Sequence, residues 1–386
     1  MTDKTADETL VTKVMTFKSG KVAFSRKYRR EAVVEDFARF EALFNALAAL
    51  PIVPGLAAQL DTDLIRSSIF STAAIEGNPL SETRVGEILA EPTGNALRER
   101  AEQEIVNLKN AYGLLAKPLT EGGPQQLLVT EEFIKKLNSL IAADIRHNNH
   151  TPGTYRDHRV EVGNADHGGI YVPPKIRADI EQLMAAFVEW INSETMLEEP
   201  CVVRAALAHY HLALIHPFGD GNGRTARLLE VAIMTPGGYK YVPSMMSNYY
   251  YKNIDDYYIA FRETEKAPDL DVTVFLKFFM RVLLLSVADI QDRIHWHIRI
   301  MALRHLYGAY LQDRTITRRQ HDLLHVLLHH PGKTIVLKEM LLDPLLTPLY
   351  RAVSEKTARR DLTRLQELKL LVLREGRLLL NPFVLE

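Results

Sequence analysis

The sequence predicts a mainly α-helical protein with one small β-hairpin and a C-terminal α+β module. Most of the 386 residues fall into segments whose apolar positions recur with helical spacing. Residues 160–172 instead alternate apolar and polar side chains on both sides of a turn-rich stretch, as a β-hairpin does. Near the C-terminus, a helical segment is followed by two short strand-like stretches around Glu375 and Gly376.

These patterns divide the chain into four regions, which is within the number of domains that its length allows. We expect the first 20 or so residues, which are polar and mixed in charge, to be loosely ordered. The expected regions are an N-terminal helical region (1–125), a helical core (126–285), a linker helix (286–317) and the C-terminal module (318–386).

The composition excludes several classes of protein. A net charge of −1 and a pI near 6.9 give no general attraction to nucleic acid or to a membrane surface. The single cysteine, Cys201, excludes an internal disulfide framework. No apolar run is long enough to span a bilayer, and the first residues do not form a signal peptide. We therefore expect a cytoplasmic protein without membrane association.

The most informative stretch is HPFGDGNGRTAR, His216–Arg227, which lies between two apolar helical segments. Pro217 disfavours helical geometry in the residue before it, so His216 is expected at a helix exit. The glycines allow a sharp turn in which backbone N–H groups can approach a ligand. Asn222 is a favourable N-cap for the helix that follows.

The residue types in this stretch indicate a polyphosphate site. A glycine-rich turn that leads into a helix N-terminus binds anions, and Arg224 and Arg227 lie on one side of that helix. Asp220 would be repelled by phosphate unless a cation lies between them, and Mg²⁺ is the cation expected. His216 can act as a general base because imidazole titrates near neutral pH. A purely structural turn with a capped helix is the alternative.

The stretch resembles the signature of the Fic family, HPFx[D/E]GNGRxxR, at every defined position. The resemblance implies a Fic-fold core in which His216 deprotonates a target hydroxyl, Phe218 anchors the loop and Asp220 binds Mg²⁺. It implies transfer of AMP from ATP to a Ser, Thr or Tyr of a target protein and of itself, with release of pyrophosphate. The related Doc toxins, which phosphorylate, carry Lys at the position of Gly223. The implied nucleotide-binding residues are Glu76, His216, Gly221, Asn222, Gly223, Arg224, Thr225, Ala226, Arg227 and Tyr258.

A second signal lies in the helix that ends with the sequence STAAIEGNPL. Glu76 lies at its C-terminal end, where the helix dipole disfavours a carboxylate. On its own this residue is readily explained as a solvated Glu beside a turn. However, Thr72-x-x-x-Glu76-Gly77 resembles the inhibitory motif [S/T]xxxE[G/N] of Fic proteins. The resemblance implies that Glu76 pairs with Arg227 and occupies the space of the ATP γ-phosphate.

The predicted hairpin corresponds in this family to a flap that aligns the target segment by strand addition. Its expected target-binding residues are Gly169, Ile170, Tyr171 and Val172. A plain surface hairpin is the alternative. The tyrosine-rich segment after the signature includes Tyr258, the expected adenosine contact, although an aromatic cluster is often simply packing. We interpret His209 and His211 as packing residues because no zinc-binding pattern accompanies them.

The C-terminal module resembles a winged helix. Ser354 is the expected N-cap of its last helix, and residues 318–386 hold twelve Lys and Arg against eight Asp and Glu, a net charge of +4. The module could bind DNA through its last helix, and the residues expected to face DNA are Lys356, Arg359, Arg360 and Arg364. A module used for dimer or protein contact is an equal alternative, and we expect a homodimer.

Two functions of other classes stay open beside adenylyl transfer. The first is a hydrolase that removes AMP from a modified protein, since Glu76 could position a water molecule. The second is a DNA-binding regulator in which the core senses nucleotide.

Overall fold

The structure is a computed structural model in which the chain forms two compact units, one within Met1–Ile290 and one within Gln291–Glu386. It is mainly helical, which confirms the predicted fold class. No helix within the described ranges is long and apolar enough to cross a membrane. The residues that the structure describes are 10–91, 98–117, 126–145, 150–164, 169–330, 332–340 and 342–384.

The first unit begins with an antiparallel β-hairpin of β1 (Val11–Met15) and β2 (Lys21–Ser25). The backbone N–H groups of its turn donate to both carboxylate oxygens of Asp179 at 2.7–3.3 Å, and Phe24 is buried below it. The expectation of loose order is therefore wrong from residue 10 onward, because a distant acid anchors the turn. The first nine residues lie outside the described part.

Eleven helices within the described residues form the body of the first unit, and a twelfth begins in it. Short 3-10 turns at Arg30–Ala32 and Pro268–Leu270 flank them. The helices are α1 (Val34–Ala48), α2 (Pro54–Ile75), α3 (Glu82–Ala90), α4 (Arg100–Leu115), α5 (Glu131–Ile141), α6 (Arg177–Ile191), α7 (Glu194–Leu197), α8 (Cys201–Ile215), α9 (Asn222–Met234), α10 (Val242–Lys252), α11 (Ile254–Glu265) and α12 (Thr273–Gln312).

The centre of this unit is the pair α8 and α9, which pack against each other and are buried on nearly every side. Helix α2 begins at Pro54. A proline fits there because the first helical turn does not use its N–H groups for intrahelical bonds. Helix α2 packs along α10, which brings the end of α2 to the N-terminus of α9.

The predicted hairpin is present, but it is short. Strands β3 (Val162–Asn164) and β4 (Gly169–Tyr171) pair antiparallel, with Val162 opposite Tyr171. Residues 165–168, in the middle of the predicted turn-rich stretch, lie outside the described part of the chain.

The second unit contains the last part of α12, so no separate linker helix is seen among its described residues. Ser354 accepts a hydrogen bond from the N–H of Thr357, as the N-cap prediction requires. The segment after residue 337 forms two short helices, and a turn that contains Pro344 lies between them. The elements are α13 (Arg318–His329), β5 (Thr334–Ile335), α14 (Leu337–Met340), α15 (Thr347–Tyr350), α16 (Glu355–Glu367), β6 (Leu371–Arg374) and β7 (Arg377–Leu380).

The two predicted C-terminal strands, β6 and β7, are confirmed. Together with β5 they form a three-stranded antiparallel sheet in the order β5-β7-β6. A core that includes Leu323, Tyr350, Leu365 and Leu378 joins this sheet to the helices. The winged-helix interpretation of this unit stays a prediction.

Candidate active site

His216 lies at the end of α8, where the backbone turns sharply. Its φ of 49° and ψ of 57° are left-handed, which is uncommon for a residue other than glycine and is frequent at functional sites. The predicted helix exit is therefore confirmed. The guanidinium of Arg156 holds this turn by donating to the carbonyl of His216 at 2.8 Å and to those of His158 and Pro174. Sequence reasoning assigned no role to Arg156.

The His216 ring is held in an orientation that suits a base. Its Nδ1 lies 3.2 Å from the carbonyl oxygen of Ala213, which can only accept, so Nδ1 carries the proton. The lone pair is then on Nε2. Burial lowers the pKa of His216 to about 4, so the ring is neutral at physiological pH.

Asn222 closes the loop by bonding across it rather than by capping the helix. Its Oδ1 accepts from the N–H of Phe218 at 2.9 Å and its Nδ2 donates to the Phe218 carbonyl at 2.8 Å. Gly221, with φ of 77°, takes the N-cap position instead, so the N-cap prediction was wrong. Asn138 supports the loop from outside by donating to the carbonyl of Asp220 at 2.9 Å. The Phe218 ring is fully buried, as expected.

Arg227 is buried and is held by groups from two other helices. Its Nη2 lies 2.6 Å from Oε1 of Glu76, and its Nε donates to the hydroxyl of Thr72 at 2.7 Å. The hydroxyl of Tyr257 lies 3.4 Å from Nη1. The structure thus brings together the expected pair, with Thr72 as a third member. Gly77, with φ of 83°, lies just after the Glu76 cap and turns the chain away from α2.

The Glu76 carboxylate lies directly over the glycine-rich turn. A Cβ atom at Gly223 would collide with its Oε1. Burial opposes the ionisation of Glu76, but the positive charges of Arg227 and Arg224 outweigh it, so the pKa of this carboxyl lies below its usual value. The carboxylate is therefore ionised at neutral pH and occupies space beside the N-terminus of α9.

A buried polar network lies behind Arg227. Tyr257 bonds at 2.9 Å to Nε2 of His209, whose Nδ1 lies 2.7 Å from Glu230. The hydroxyl of Tyr250 also donates to Glu230, at 2.9 Å. His209 is fully buried, which confirms the interpretation of a packing residue. The sequence did not reveal that it supports an active-site tyrosine.

Asp220 and Arg224 form a second charged group on the loop. The carboxylate accepts from Nη2 of Arg224 at 2.9 Å, from the N–H of Gly221 at 2.6 Å and from Arg100 at 3.2 Å. Within the described ranges, no three His, Cys, Asp or Glu side chains are placed to hold a metal. One partly exposed carboxylate still fits Mg²⁺, which is usually held by one or two carboxylates together with substrate phosphates.

A cavity of about 300 Å³ joins these features. Its wall includes His216, Gly223, Arg227, Glu76 and Tyr258, and the flap contributes Gly169 and Tyr171. The volume is at the lower end of the range for ligand pockets. Ile170 and Val172, on the other side of the flap, are 51% and 37% exposed.

Some expected nucleotide-binding side chains do not reach the cavity. Thr225 and Ala226 are fully buried in α9, and the Thr225 hydroxyl donates to the Gly221 carbonyl at 2.8 Å. Among the described residues, the cavity wall also leaves out Gly221, Asn222 and Arg224, as well as the expected metal ligand Asp220. The structure therefore separates the expected set into a cavity-facing group and a group that stabilises the loop.

Comparison with known proteins relates this site to one family. The family model described as Fic/DOC matches residues 128–234. Protein adenylyltransferase fic-1 of Caenorhabditis elegans is 33% identical over 174 residues, which cover 44% of this chain and 32% of the relative. Protein adenylyltransferase Fic of Drosophila ananassae is 30% identical over 243 residues, which cover 60% of this chain and 46% of the relative. The chain thus spans less than half the length of these curated relatives.

Solved structures share the fold. A Fic family protein from Desulfovibrio desulfuricans superposes with a TM-score of 0.55 at 20% identity, over 91% of this chain and 96% of that one. Fic-1 of Caenorhabditis elegans superposes with a TM-score of 0.52 at 22% identity, over 68% of this chain and 72% of that one.

Proposed function

We propose that residues 128–234, which match the Fic/DOC family model, form a Fic domain, and that the protein transfers AMP from ATP to a hydroxyl group of a target protein. The observation that carries the proposal is one cavity shared by a neutral histidine, a glycine-rich helix N-terminus and a buried arginine, namely His216, Gly223 and Arg227. Relatives named protein adenylyltransferase support the same reaction class.

In the proposed reaction His216 accepts the proton of the target hydroxyl at Nε2. The hydrogen bond from Nδ1 to the Ala213 carbonyl orients the ring, and Arg156 fixes the backbone at the same turn. The hydroxyl oxygen attacks the α-phosphorus, the bond to the β-phosphate bridging oxygen breaks, and pyrophosphate leaves. A positioned base of this kind supplies about 10²- to 10⁴-fold in rate.

The phosphates would lie at the N-terminus of α9, where the helix dipole and the backbone N–H groups of the first helical turn favour anions. Arg227 is available for them only when Glu76 moves away. The Nε of Arg224 is buried without a hydrogen-bond partner among the described residues, so this guanidinium has an unused donor near the loop. Mg²⁺, held by Asp220, would supply charge neutralisation to the phosphates.

We propose that Glu76 inhibits this reaction within the same chain. Its carboxylate pairs with Arg227 and lies over Gly223. The carboxylate therefore occupies the space that a γ-phosphate bound to Arg227 would need. A phosphate there would also meet a second negative charge, because Glu76 is ionised. Removal of the carboxylate should therefore release both the space and the arginine.

The flap is the proposed contact for the target protein. Ile170 in β4 and Val172 just after it present exposed apolar side chains, and the edge of β4 can pair with an extended segment. For the derepressed protein we also propose self-modification and, for the native protein, a homodimer. Self-modification follows from the family resemblance and can be checked by peptide mass spectrometry, and the homodimer can be checked by light scattering.

The direct test is incorporation of α-labelled ATP, with Mg²⁺ present, followed by mass spectrometry of the labelled protein. Wild type, Glu76→Gly and the double variant Glu76→Gly with His216→Ala are compared. We expect label to increase at least about tenfold in Glu76→Gly, because Arg227 no longer makes a charge-assisted contact with the competing carboxylate. In the double variant, which also lacks the base, we expect label to fall about 10²-fold or more below the single variant. Equal labelling in the single and double variants would contradict the role of His216.

Removal of AMP is a second candidate, favoured by the presence of Glu76 and His216 in one cavity wall. It predicts release of AMP from a modified protein, lost in Glu76→Gly. DNA binding by the second unit is a third, favoured by the exposure of Lys356, Arg359, Arg360 and Arg364 on one helix.

A further inference from the structure

The candidate metal ligand Asp220 already has its charge neutralised by two arginines of the same chain. Nη2 of Arg224 lies 2.9 Å from Oδ1, while Nη2 of Arg100 lies 3.2 Å from Oδ2. Arg224 is buried and lies in the first turn of α9, just after the loop that carries Asp220. Arg100, in contrast, comes from α4 and is 60% exposed, so it can move away without unfolding anything.

Arg100 is connected to the end of the inhibitory segment through two side chains. Its Nε donates to Oε1 of Glu104 at 3.2 Å, and Oε2 of Glu104 accepts from Nδ2 of Asn78 at 2.9 Å. Asn78 comes two residues after Glu76. Glu104 is 9% exposed, so this carboxylate depends on its partners for stabilisation.

We propose that Arg100 is a displaceable counter-ion of Asp220, which a divalent cation has to replace, and that Glu104 and Asn78 couple this exchange to the segment after Glu76. The inference rests on the proposed function, because Mg²⁺ is expected at Asp220 only with a nucleotide. A divalent cation beside Oδ2 would be repelled by the Arg100 guanidinium at the same oxygen. When Arg100 leaves, Glu104 keeps Arg224 3.9 Å away but loses the hydrogen bond that orients its carboxylate, so Asn78 is held in place less tightly.

Because coupling between two sites is reciprocal, the two events favour each other. A cation at Asp220 should loosen the segment that carries Glu76, and loosening of that segment should strengthen binding of the cation. Arg100 is thus a regulatory residue outside both recognised motifs.

The proposal is tested by binding of Mn²⁺, a spectroscopic substitute for Mg²⁺, to the full chain in the presence of a non-hydrolysable ATP analogue. Electron paramagnetic resonance measures free Mn²⁺, so no turnover is needed. We expect Arg100→Ala to bind Mn²⁺ roughly two- to fivefold more tightly than wild type, the range of an exposed ion pair. Arg100→Lys, which keeps the charge, should stay near wild type.

The matched control is Arg84→Ala, which removes an exposed arginine that pairs with another glutamate, Glu102, of the same helix. It should bind Mn²⁺ as wild type does. Equal or weaker binding by Arg100→Ala than by Arg84→Ala would overturn the proposal. Asp220→Ala tests the metal site separately from the role of Arg100. Unchanged Mn²⁺ binding in that variant would overturn the metal site itself.

Hydrogen exchange of the segment around Asn78 tests the coupling. Mn²⁺ with the analogue should increase exchange there in wild type, and the increase should be smaller in Arg100→Ala, where the connection is already broken. An equal increase in both proteins would overturn the coupling.

Discussion

Arg227 in the first unit and Arg359 in the second are both paired with a glutamate, but their surroundings are opposite. Arg227 lies 2.6 Å from Glu76 with side-chain exposures of 2% and 29%. Arg359 lies 3.2 Å from Glu355 with exposures of 67% and 59%. Arg227 is shielded from water, whereas both side chains of the Arg359 pair are solvated and screened. We therefore expect the Arg227 pair to contribute more free energy than the Arg359 pair.

The largest expected effect is on the pair that contains buried Arg227. Arg227→Ala leaves a gap beside Thr72 and Tyr257 and an unpaired Glu76 that water can partly solvate, so we expect the first unit to lose about 2–4 kcal/mol of unfolding free energy, less than for a fully buried pair. Urea unfolding followed by the fluorescence of buried Trp190, in a Trp296→Phe background, reports on this unit.

The control for this prediction is Arg84→Ala, which breaks exposed ion pairs in the same unit and should change the free energy of unfolding by about 0.5 kcal/mol or less. A loss below about 1 kcal/mol in Arg227→Ala would show that burial does not distinguish the two kinds of pair.

The next largest effect is on the pH dependence of stability. Burial lowers the pKa of His211 from 6.5 to about 4. Between these values the unfolded chain binds a proton that the folded chain does not, so acid favours unfolding. We expect the first unit to lose up to about 3 kcal/mol from this histidine as the pH falls from 6.5 to 4.

The same fluorescence measurement over this pH range checks the histidine prediction. His211→Gln should show a shallower pH dependence than wild type, whatever its stability at neutral pH. Parallel curves for the two proteins would mean that His211 does not titrate as its burial requires.

The smallest expected effect on stability is on the exposed helix α16. Arg359→Ala and Arg360→Ala should each change the free energy of unfolding by about 0.5 kcal/mol or less. If the second unit binds DNA, each change should reduce the slope of log affinity against log salt by about one. Fluorescence anisotropy with duplex DNA at several salt concentrations measures this slope. The control is Lys338→Ala, which removes an exposed lysine outside α16. Salt-independent anisotropy would remove DNA binding from consideration.

The local features of the site could be predicted from the sequence because they depend on neighbours in the chain. The helix exit at His216 follows from Pro217, and the turn after it follows from the glycines. The pair of Glu76 and Arg227 was expected only through the resemblance, because 151 residues separate them and no local pattern connects two such positions.

The features that the sequence did not reveal are those formed by distant polar residues. Arg156 holds the His216 carbonyl across 60 positions, and Asn138 holds the Asp220 carbonyl across 82. Asn222 looked like an N-cap because capping residues are judged from the helix alone, whereas its side chain bonds across the loop to Phe218. The N-terminal hairpin was missed because its anchor, Asp179, lies in α6, 160 positions from Ser19 in the hairpin turn.

The central claim is that Glu76 excludes the γ-phosphate by pairing with Arg227. The most direct measurement is isothermal titration of ATP and of ADP into wild type and into Glu76→Gly, in the presence of Mg²⁺. We expect the preference for ATP over ADP to rise about tenfold or more in Glu76→Gly, since only ATP gains a charge-assisted contact with the released arginine. An equal gain for both nucleotides, or no gain, would contradict the claim.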